Sequence, residues 1–457
     1  MAKLLSVGLD VGTTTTQLVV SALTVENQSS AFSVPELAIT QRQVLYQSPV
    51  HFTPLVDTSH VDGAAIRRIL EQEYRNAGIR RDQVDTGAVI ITGETSRKEN
   101  ARAVLEALSD YAGDFVVATA GPELESLLAA KGAGAVAYSG RTGKTVLHMD
   151  IGGGTSNLAL IEDGTVVRTG CLNVGGRLVK LDQNRHVTYI SPELEGLTTL
   201  SVGQPADPEA IDELAQMLTN ALEMAAGLQA PTPLLQRLMT KEATTPWVPP
   251  ATGVTVSFSG GVADCIFEDQ PSGIFGDIGP ELGQAIRNSR LCQGDHLRGS
   301  HTIRATVIGA GCHSAQLSGS TVYHRGVEFP IKNLPVISLS AAQQCGELAQ
   351  LLPARMAALD TNRAVISLPG PDTADHRQVA ELAQRLARSL PPGPVYICLE
   401  RDMAKALGQA LALRLEPDRP VLCLDRLHLE DGSFLDVGTP TGPALPVVIK
   451  TLILSSH

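Results

Sequence analysis

The chain has 457 residues, more than one hydrophobic core normally supports, so we expect several packed subdomains. Hydrophobic residues make up 43% and charged residues 18%, which is typical of an α/β enzyme and excludes a disordered or fibrous chain. The net charge of −12 and the lack of a long basic cluster argue against nucleic acid as a partner.

The cysteines and the hydropathy pattern indicate the compartment. Seven cysteines are scattered and never spaced as Cys-x-x-Cys, which predicts reduced thiols and no structural zinc site. The apolar stretch at the N-terminus is too short for a secretory signal and lacks a cleavage site. No segment reaches the ~18 apolar residues that a membrane span requires. We therefore expect a cytosolic protein without a membrane partner.

Predicted strands and helices alternate from the N-terminus, which favours α/β layering. The first strand covers residues 4–9, and a second strand begins near Gln17 after a turn of glycine and threonines. Apolar spacing then predicts helices over 64–77 and 97–108 and from Pro122 through Ala130, with short buried strands at 87–91 and 115–118.

The same strand, turn, strand unit recurs further along the chain. Predicted strands at 146–149 and 158–161 flank a glycine-rich turn. The elements predicted after them are a helix at 207–226, a surface connection at 240–253, a strand at 254–258 and helices at 280–289, 341–358 and 377–390, with strands at 395–399 and 421–424.

The first turn has the composition of a phosphate-binding loop. Asp10 ends a strand, and Gly12, Thr13, Thr14 and Thr15 follow it. Glycine lets the backbone approach an anion, amides and hydroxyls donate to it, and the carboxylate can hold Mg²⁺ through water. An ordinary hairpin stabilised by threonine is the alternative at this position.

The second turn repeats this chemistry 140 residues later, with Asp150 followed by Gly152, Gly153, Gly154 and Thr155. Two such turns favour a functional interpretation, because both can face one polyphosphate across a cleft. We therefore predict that Asp10 and Asp150 hold Mg²⁺ and take part in catalysis, while the glycines and threonines bind ATP.

A third motif follows the predicted strand at 254–258. Gly260 and Gly261 lie between that strand and a predicted helix, where close backbone approach suits a flat ligand such as adenine. Taken alone the motif is weak, because glycine pairs are common in turns.

The order of these three motifs resembles the actin/Hsp70/sugar-kinase superfamily over residues 1–300. The resemblance implies an α/β, actin-like ATPase fold with two ribonuclease-H-like halves, 1–140 and 141–330, around a nucleotide cleft, and a C-terminal α/β region over 331–457. It also implies that Glu123, at the start of a helix, positions the attacking water, and that Gly175 and Gly176 belong to the nucleotide site. For Glu123 the alternative is a favourable negative charge at a helix N-terminus.

The whole chain resembles a narrower family, the ethanolamine ammonia-lyase reactivating factors (EutA family). The strings that carry this resemblance are GLDVGTTTTQLV at 8–19, ITGETSRKENA at 91–101, HMDIGGGTSNLAL at 148–160 and DVGTPTGPALPVVIKTLIL at 436–454. The resemblance implies an ATP- and Mg²⁺-dependent, chaperone-like factor that frees damaged cobalamin from ethanolamine ammonia-lyase, so that adenosylcobalamin can bind to that partner. It implies a cytoplasmic location and leaves association with a bacterial microcompartment open.

Two alternatives of the same fold stay open at this point. A small-molecule kinase would need a base near an acceptor hydroxyl, for which Asp264 is a weak candidate because a helix-capping role fits it as well. An actin-like scaffold would need a repeating interface. Whether ATP hydrolysis is intrinsic to the chain or stimulated by the partner is also open.

Overall fold

The structure is a computed structural model. It describes residues 2–12, 15–27, 37–57, 60–91, 100, 104, 108, 118–119, 122–240, 247–251, 253–313, 315–317, 321–358, 363–371, 373, 375–429, 433–440 and 445–451. These residues form three large β-sheets with helices packed against them, and a separate two-stranded sheet, so the predicted α/β class is confirmed.

Sheet one has the strand order β3-β2-β1-β5-β6, with β4 paired to β2. The strands β1, β2 and β3 are antiparallel, whereas β5 and β6 continue the sheet in parallel to β1. The bounds are β1 Ala2–Val11, β2 Thr15–Asn27, β3 Leu37–Gln47, β4 His51–Phe52, β5 Thr86–Ile91 and β6 Ala118–Thr119.

Sheet two repeats this topology. Its order is β13-β12-β7-β8-β9, again with three antiparallel strands followed by two parallel ones. The predicted pair of ribonuclease-H-like halves is therefore confirmed. The bounds are β7 Val146–Ile151, β8 Ser156–Glu162, β9 Thr165–Leu172, β12 Thr255–Ser259 and β13 His296–Arg298, and a separate hairpin consists of β10 Val179–Leu181 and β11 Val187–Ile190.

The helices begin where the sequence offers caps. Asp62 accepts a hydrogen bond from the amide of Ala65 at the start of α1, and Gly78 ends that helix with φ of 68°. The bounds are α1 Gly63–Ala77, α2 Pro122–Gly132, α3 Ala135–Thr142, α4 Pro208–Ala225, α5 Pro233–Leu238, α6 Gly261–Phe267, α7 Gly279–Arg287, α8 Ala305–His313, α9 Ala341–Cys345, α10 Leu348–Ala358, α11 His376–Ser389 and α12 Ala404–Ala412.

The two halves are joined by the crossing of α2 and α8. Helix α2 lies against β7, β8 and β9 of sheet two, while α8 lies against β1, β2 and β5 of sheet one. A Cβ on Gly132 would lie 1.9 Å from the carbonyl oxygen of Ala305, and one on Gly309 would lie 2.0 Å from that of Leu128. Glycine is required at both positions because the two backbones touch.

Sheet three forms the C-terminal α/β region, in the order β14-β21-β20-β16-β17-β18-β19-β15. Helices α10, α11 and α12 cover one face of its parallel strands, where side chains such as Ile366 and Ile397 are fully buried. The bounds are β14 Ala315–Leu317, β15 Tyr323–Arg325, β16 Ile331–Ser338, β17 Val365–Leu368, β18 Val395–Leu399, β19 Val421–Asp425, β20 Ser433–Val437 and β21 Pro446–Thr451.

Most predicted elements are present, with one correction. The helix predicted over 341–358 is in fact α9 and α10, because the chain leaves the helical conformation at Gly346. Most of the helix predicted over 97–108 and most of the strand predicted at 115–118 lie outside the described residues. The domain limits at residues 140 and 330 stay predictions.

Helix α8 was not predicted from the sequence. It contains Gly309 and Gly311, and glycine disfavours helices by about 1 kcal/mol relative to alanine. Tertiary packing against α2 overrides that preference. Among the described residues, no helix combines the length and the apolar character needed to cross a membrane.

Candidate functional site

The two predicted phosphate loops are equivalent hairpins. Hairpin one joins β1 to β2, and in it the amide of Gly12 donates to the carbonyl oxygen of Thr15 at 2.8 Å. Hairpin two joins β7 to β8, and in it the amide of Gly152 donates to the carbonyl oxygen of Thr155 at 2.9 Å. Each aspartate lies two residues before the glycine. Thr13 and Thr14 lie outside the described residues.

An amide side chain stands opposite each aspartate. Asp10 pairs with Gln17 across hairpin one, and Asp150 pairs with Asn157 across hairpin two. Both amides are buried, and in each the side-chain carbonyl oxygen has no partner among the described residues. Each amide follows its aspartate by seven residues, a spacing that could have revealed both from the sequence.

The segment that begins α8 contacts both hairpins. The Gln17 side chain donates to the carbonyl oxygen of Ile303 at 3.2 Å, and the hydroxyl of Thr306 donates to Asp150 Oδ2 at 3.4 Å. Arg304 between them donates to the carbonyl of Ser48, which follows β3, at 2.9 Å. Residues 303–306 therefore connect the two hairpins to each other.

The turn of hairpin two is supported on one side by residues 175–177 and has open space at Gly154 on the other. The amides of Gly176 and Arg177 donate to the carbonyls of Gly152 and Gly153, at 3.1 and 2.6 Å. A Cβ on Gly175 would lie 2.4 Å from the Gly153 oxygen, whereas a Cβ on Gly154 would meet nothing within 4 Å. Gly175 and Gly176 thus support the loop, and Gly154 is on its free side.

Asp150 is held by neighbouring side chains. It is 9% exposed, and the hydroxyl of Ser259 donates a short hydrogen bond to Oδ1. Burial raises the pKa of Asp150 to about 6, and the hydrogen bonds from Ser259 and Thr306 partly oppose this. His148 Nε2 lies 2.9 Å from Ser259 Oγ, and burial lowers the pKa of His148 to about 3. The imidazole is therefore neutral at physiological pH.

The predicted catalytic Glu123 is the second residue of α2 and is half-buried. A neighbouring carboxylate, Glu125, is buried and accepts a hydrogen bond from Asn157 Nδ2 at 2.9 Å. Helix α2 is thereby tied to hairpin two. The role of Glu123 stays a prediction, and sequence reasoning missed Glu125 because its partner is 32 residues away.

The predicted adenosine motif lies directly beside hairpin two. Gly260 has φ of 89°, and a Cβ there would lie 2.2 Å from the carbonyl oxygen of Ile151. This backbone contact accounts for glycine at 260 without a ligand. Gly261 is less confined, since its Cβ would meet only Ile303 at 3.8 Å. A role for either residue in binding adenine stays a prediction.

The donor set at the cleft fits Mg²⁺. Within the described ranges, no three His, Cys, Asp or Glu side chains are grouped so that they could hold a metal ion. Mg²⁺ commonly uses one or two carboxylates and completes its shell with waters and substrate phosphates. Asp10 and Asp150, one from each hairpin, are the two carboxylates that would hold such an ion.

The family profile and two sequence relatives agree on one family. The profile described as "Ethanolamine utilisation protein EutA" matches residues 2–455. Ethanolamine ammonia-lyase reactivase EutA of Escherichia coli (strain K12) is 37% identical over 468 residues, and that of Salmonella typhimurium (strain LT2) is 37% identical over 481 residues, with 99% of each chain covered in both cases. A solved Ppx/GppA family structure from Aquifex aeolicus is 14% identical to this chain, with a TM-score of 0.43. The match covers 67% of this chain and 97% of the Aquifex aeolicus chain. The chain belongs to the EutA family of ethanolamine utilisation proteins.

Proposed function

We propose that this chain binds one Mg-ATP between hairpins one and two and uses it to reactivate ethanolamine ammonia-lyase. The observation that carries the nucleotide part is the pair of equivalent hairpins, each with an aspartate ahead of a glycine turn, tied together by residues 303–306. The names of the two relatives, both ethanolamine ammonia-lyase reactivases, support the choice of partner.

In this proposal, Asp10 and Asp150 hold the metal ion, and the two turns receive the phosphates. A bound Mg²⁺ supplies positive charge that neutralises the phosphate oxygens during hydrolysis. Glu123 orients the attacking water, while Gly260 and Gly261 border the adenosine. The support for these roles is the order of the motifs along the chain and the position of Asp150 beside both hairpin two and β12.

Binding of ATP by both halves can couple its hydrolysis to the contact with the partner protein. The halves touch through the crossing of α2 and α8 and through residues 303–306, so a ligand held by both hairpins favours the closed arrangement. Loss of the terminal phosphate removes part of that differential binding and permits opening. We propose that this motion alters a surface that grips the lyase, which releases damaged cobalamin so that adenosylcobalamin can enter.

The test uses lyase inactivated with cyanocobalamin. The factor, ATP, Mg²⁺ and adenosylcobalamin are added, and both cobalamin release and recovery of ethanolamine deamination are followed. We expect recovery with ATP and Mg²⁺, and little recovery with EDTA or with a non-hydrolysable ATP analogue.

The Asp150→Asn variant provides the matched negative control. Recovery that is equal without ATP, or equal with this variant, would refute an ATP-driven reactivase. Phosphate transfer to a small molecule without any effect on the lyase would favour a kinase, and nucleotide-dependent filaments would favour a scaffold.

A further inference from the structure

A row of buried polar side chains lies behind Asp150. Asp150 is paired with Ser259 and His148 with Ser257 in the parallel register of β7 and β12. The hydroxyl of Ser259 donates to Asp150 Oδ1, His148 Nε2 lies 2.9 Å from Ser259 Oγ, and His148 Nδ1 lies 3.1 Å from Ser257 Oγ. His148, Ser257 and Ser259 are at most 1% exposed.

The directions of these hydrogen bonds follow from one proton. A serine hydroxyl has a single proton, and Ser259 gives it to the ionised Asp150. Ser259 Oγ can then only accept from His148, so the neutral imidazole carries its proton on Nε2. The Nδ1 atom accepts from Ser257, and every member of the row is satisfied.

Sheet one shows that the fold does not require this row. The positions equivalent to Asp150 and His148 are Asp10 and Gly8, and their register partners on β5 are Ile90 and Ala88. None of those three neighbours of Asp10 can donate a side-chain hydrogen bond. A half of this fold therefore forms without such a row, and the fully hydrogen-bonded polar side chains of sheet two can serve a role beyond folding.

We propose that Ser259 and His148 are positioning residues that fix the orientation of the Asp150 carboxylate for Mg²⁺, an inference that rests on the proposed function. An ionised carboxylate offers about four lone-pair sites. Ser259 occupies one on Oδ1 and Thr306 one on Oδ2, so the carboxylate plane is fixed and the remaining sites face defined directions. His148 acts through Ser259. Because His148 Nε2 donates to Ser259 Oγ, the serine proton is directed to Asp150 Oδ1 as its acceptor.

The test separates metal binding from nucleotide binding. ATP affinity is measured by isothermal titration with Mg²⁺ and with EDTA, in the parent, Ser259→Ala, Ser259→Thr and His148→Gln. Loss of a partner that orients a metal ligand typically lowers metal affinity by about 10- to 100-fold. We expect Ser259→Ala to reduce the gain in affinity that Mg²⁺ provides by about 10-fold, with ATP affinity in EDTA unchanged.

The remaining variants exclude a merely structural effect. Ser259→Thr keeps the hydroxyl and should restore most of the Mg²⁺-dependent gain, while His148→Gln should reduce it in the same direction as Ser259→Ala. Ser367→Ala, at another buried strand serine in sheet three, controls for general loss of stability. If Ser259→Ala fails to fold, His148→Gln carries the test.

The outcomes keep this proposal distinct from the proposed function. A parent protein that binds ATP no better with Mg²⁺ than with EDTA refutes the proposed function itself. A parent that does show the gain, together with an equal gain in Ser259→Ala or His148→Gln, overturns only the positioning role.

Discussion

The guanidinium of Arg177 lies over the ring of Phe52, with 5.6 Å between its central carbon and the ring centroid. Phe52 is on β4, where it pairs with Thr15 at the tip of hairpin one, and Arg177 follows the segment that supports hairpin two. The Arg177 side chain is also held by Asp277, with 3.0 Å between Nε and Oδ2. This contact therefore joins the two rims of the cleft.

We expect Phe52→Ala to weaken Mg-ATP binding by about two- to fivefold, because an exposed cation–π contact contributes about 0.5–1 kcal/mol. Phe52 is 73% exposed, so the fold should survive the change. Isothermal titration measures the effect, and Leu413→Ala, at an exposed leucine just after α12, is the control. Affinity equal to that of the parent would show that the contact does not favour closure.

Gly153 provides a steric test of hairpin two. A Cβ there would lie 3.4 Å from Arg177 Cβ, an ordinary contact, so a side chain is compatible with the fold. The larger Gly153→Val side chain should block the phosphates, and we expect Mg-ATP binding to be lost with little change in Tm. Gly294→Val, before β13 and with open space around its Cβ, is the matched control. If Gly153→Val binds ATP as tightly as the parent does, the loop is only a turn and does not bind the phosphates.

The buried His148 predicts a pH dependence of stability. Burial lowers its pKa from 6.5 to about 3, so between these values the unfolded chain binds a proton that the folded chain excludes. As the pH drops below 6.5, His148 therefore lowers the free energy of unfolding. The decrease is up to about 1.4 kcal/mol per pH unit.

Denaturant unfolding of the parent and of His148→Gln at pH 7.5, 6.5 and 5.5 measures that slope. The stability of the parent relative to the variant should fall between pH 6.5 and 5.5. Asp150, whose raised pKa gives the opposite slope between 3.8 and about 6, is present in both proteins and largely cancels in the difference. A difference that does not change with pH would contradict the prediction.

The sequence was sufficient to predict the two hairpins because their information is local. A strand ending in aspartate, a glycine turn and a second strand all lie within about ten residues, so Asp10 and Asp150 could be identified as equivalent. The repeated topology of sheets one and two follows from placing each hairpin at the centre of its sheet.

The remainder of the site depends on contacts that are remote in sequence. Ser259 meets Asp150 across 109 residues, and the register between β7 and β12 that brings them together is set by packing. Gly260 was predicted to approach adenine, yet the backbone of Ile151 already requires a glycine there. Local patterns therefore found the loops but could not find what positions them.

Titration of the parent, Asp10→Asn, Asp150→Asn and the double variant with Mg-ATP tests whether both hairpins hold the same nucleotide. We predict one ATP per chain in the parent and weaker Mg²⁺-dependent binding in each single variant. In the double variant, the loss of binding free energy should be smaller than the sum of the two single losses, because two ligands of one ion are coupled. Additive losses, or unchanged affinity in either single variant, would contradict a shared site.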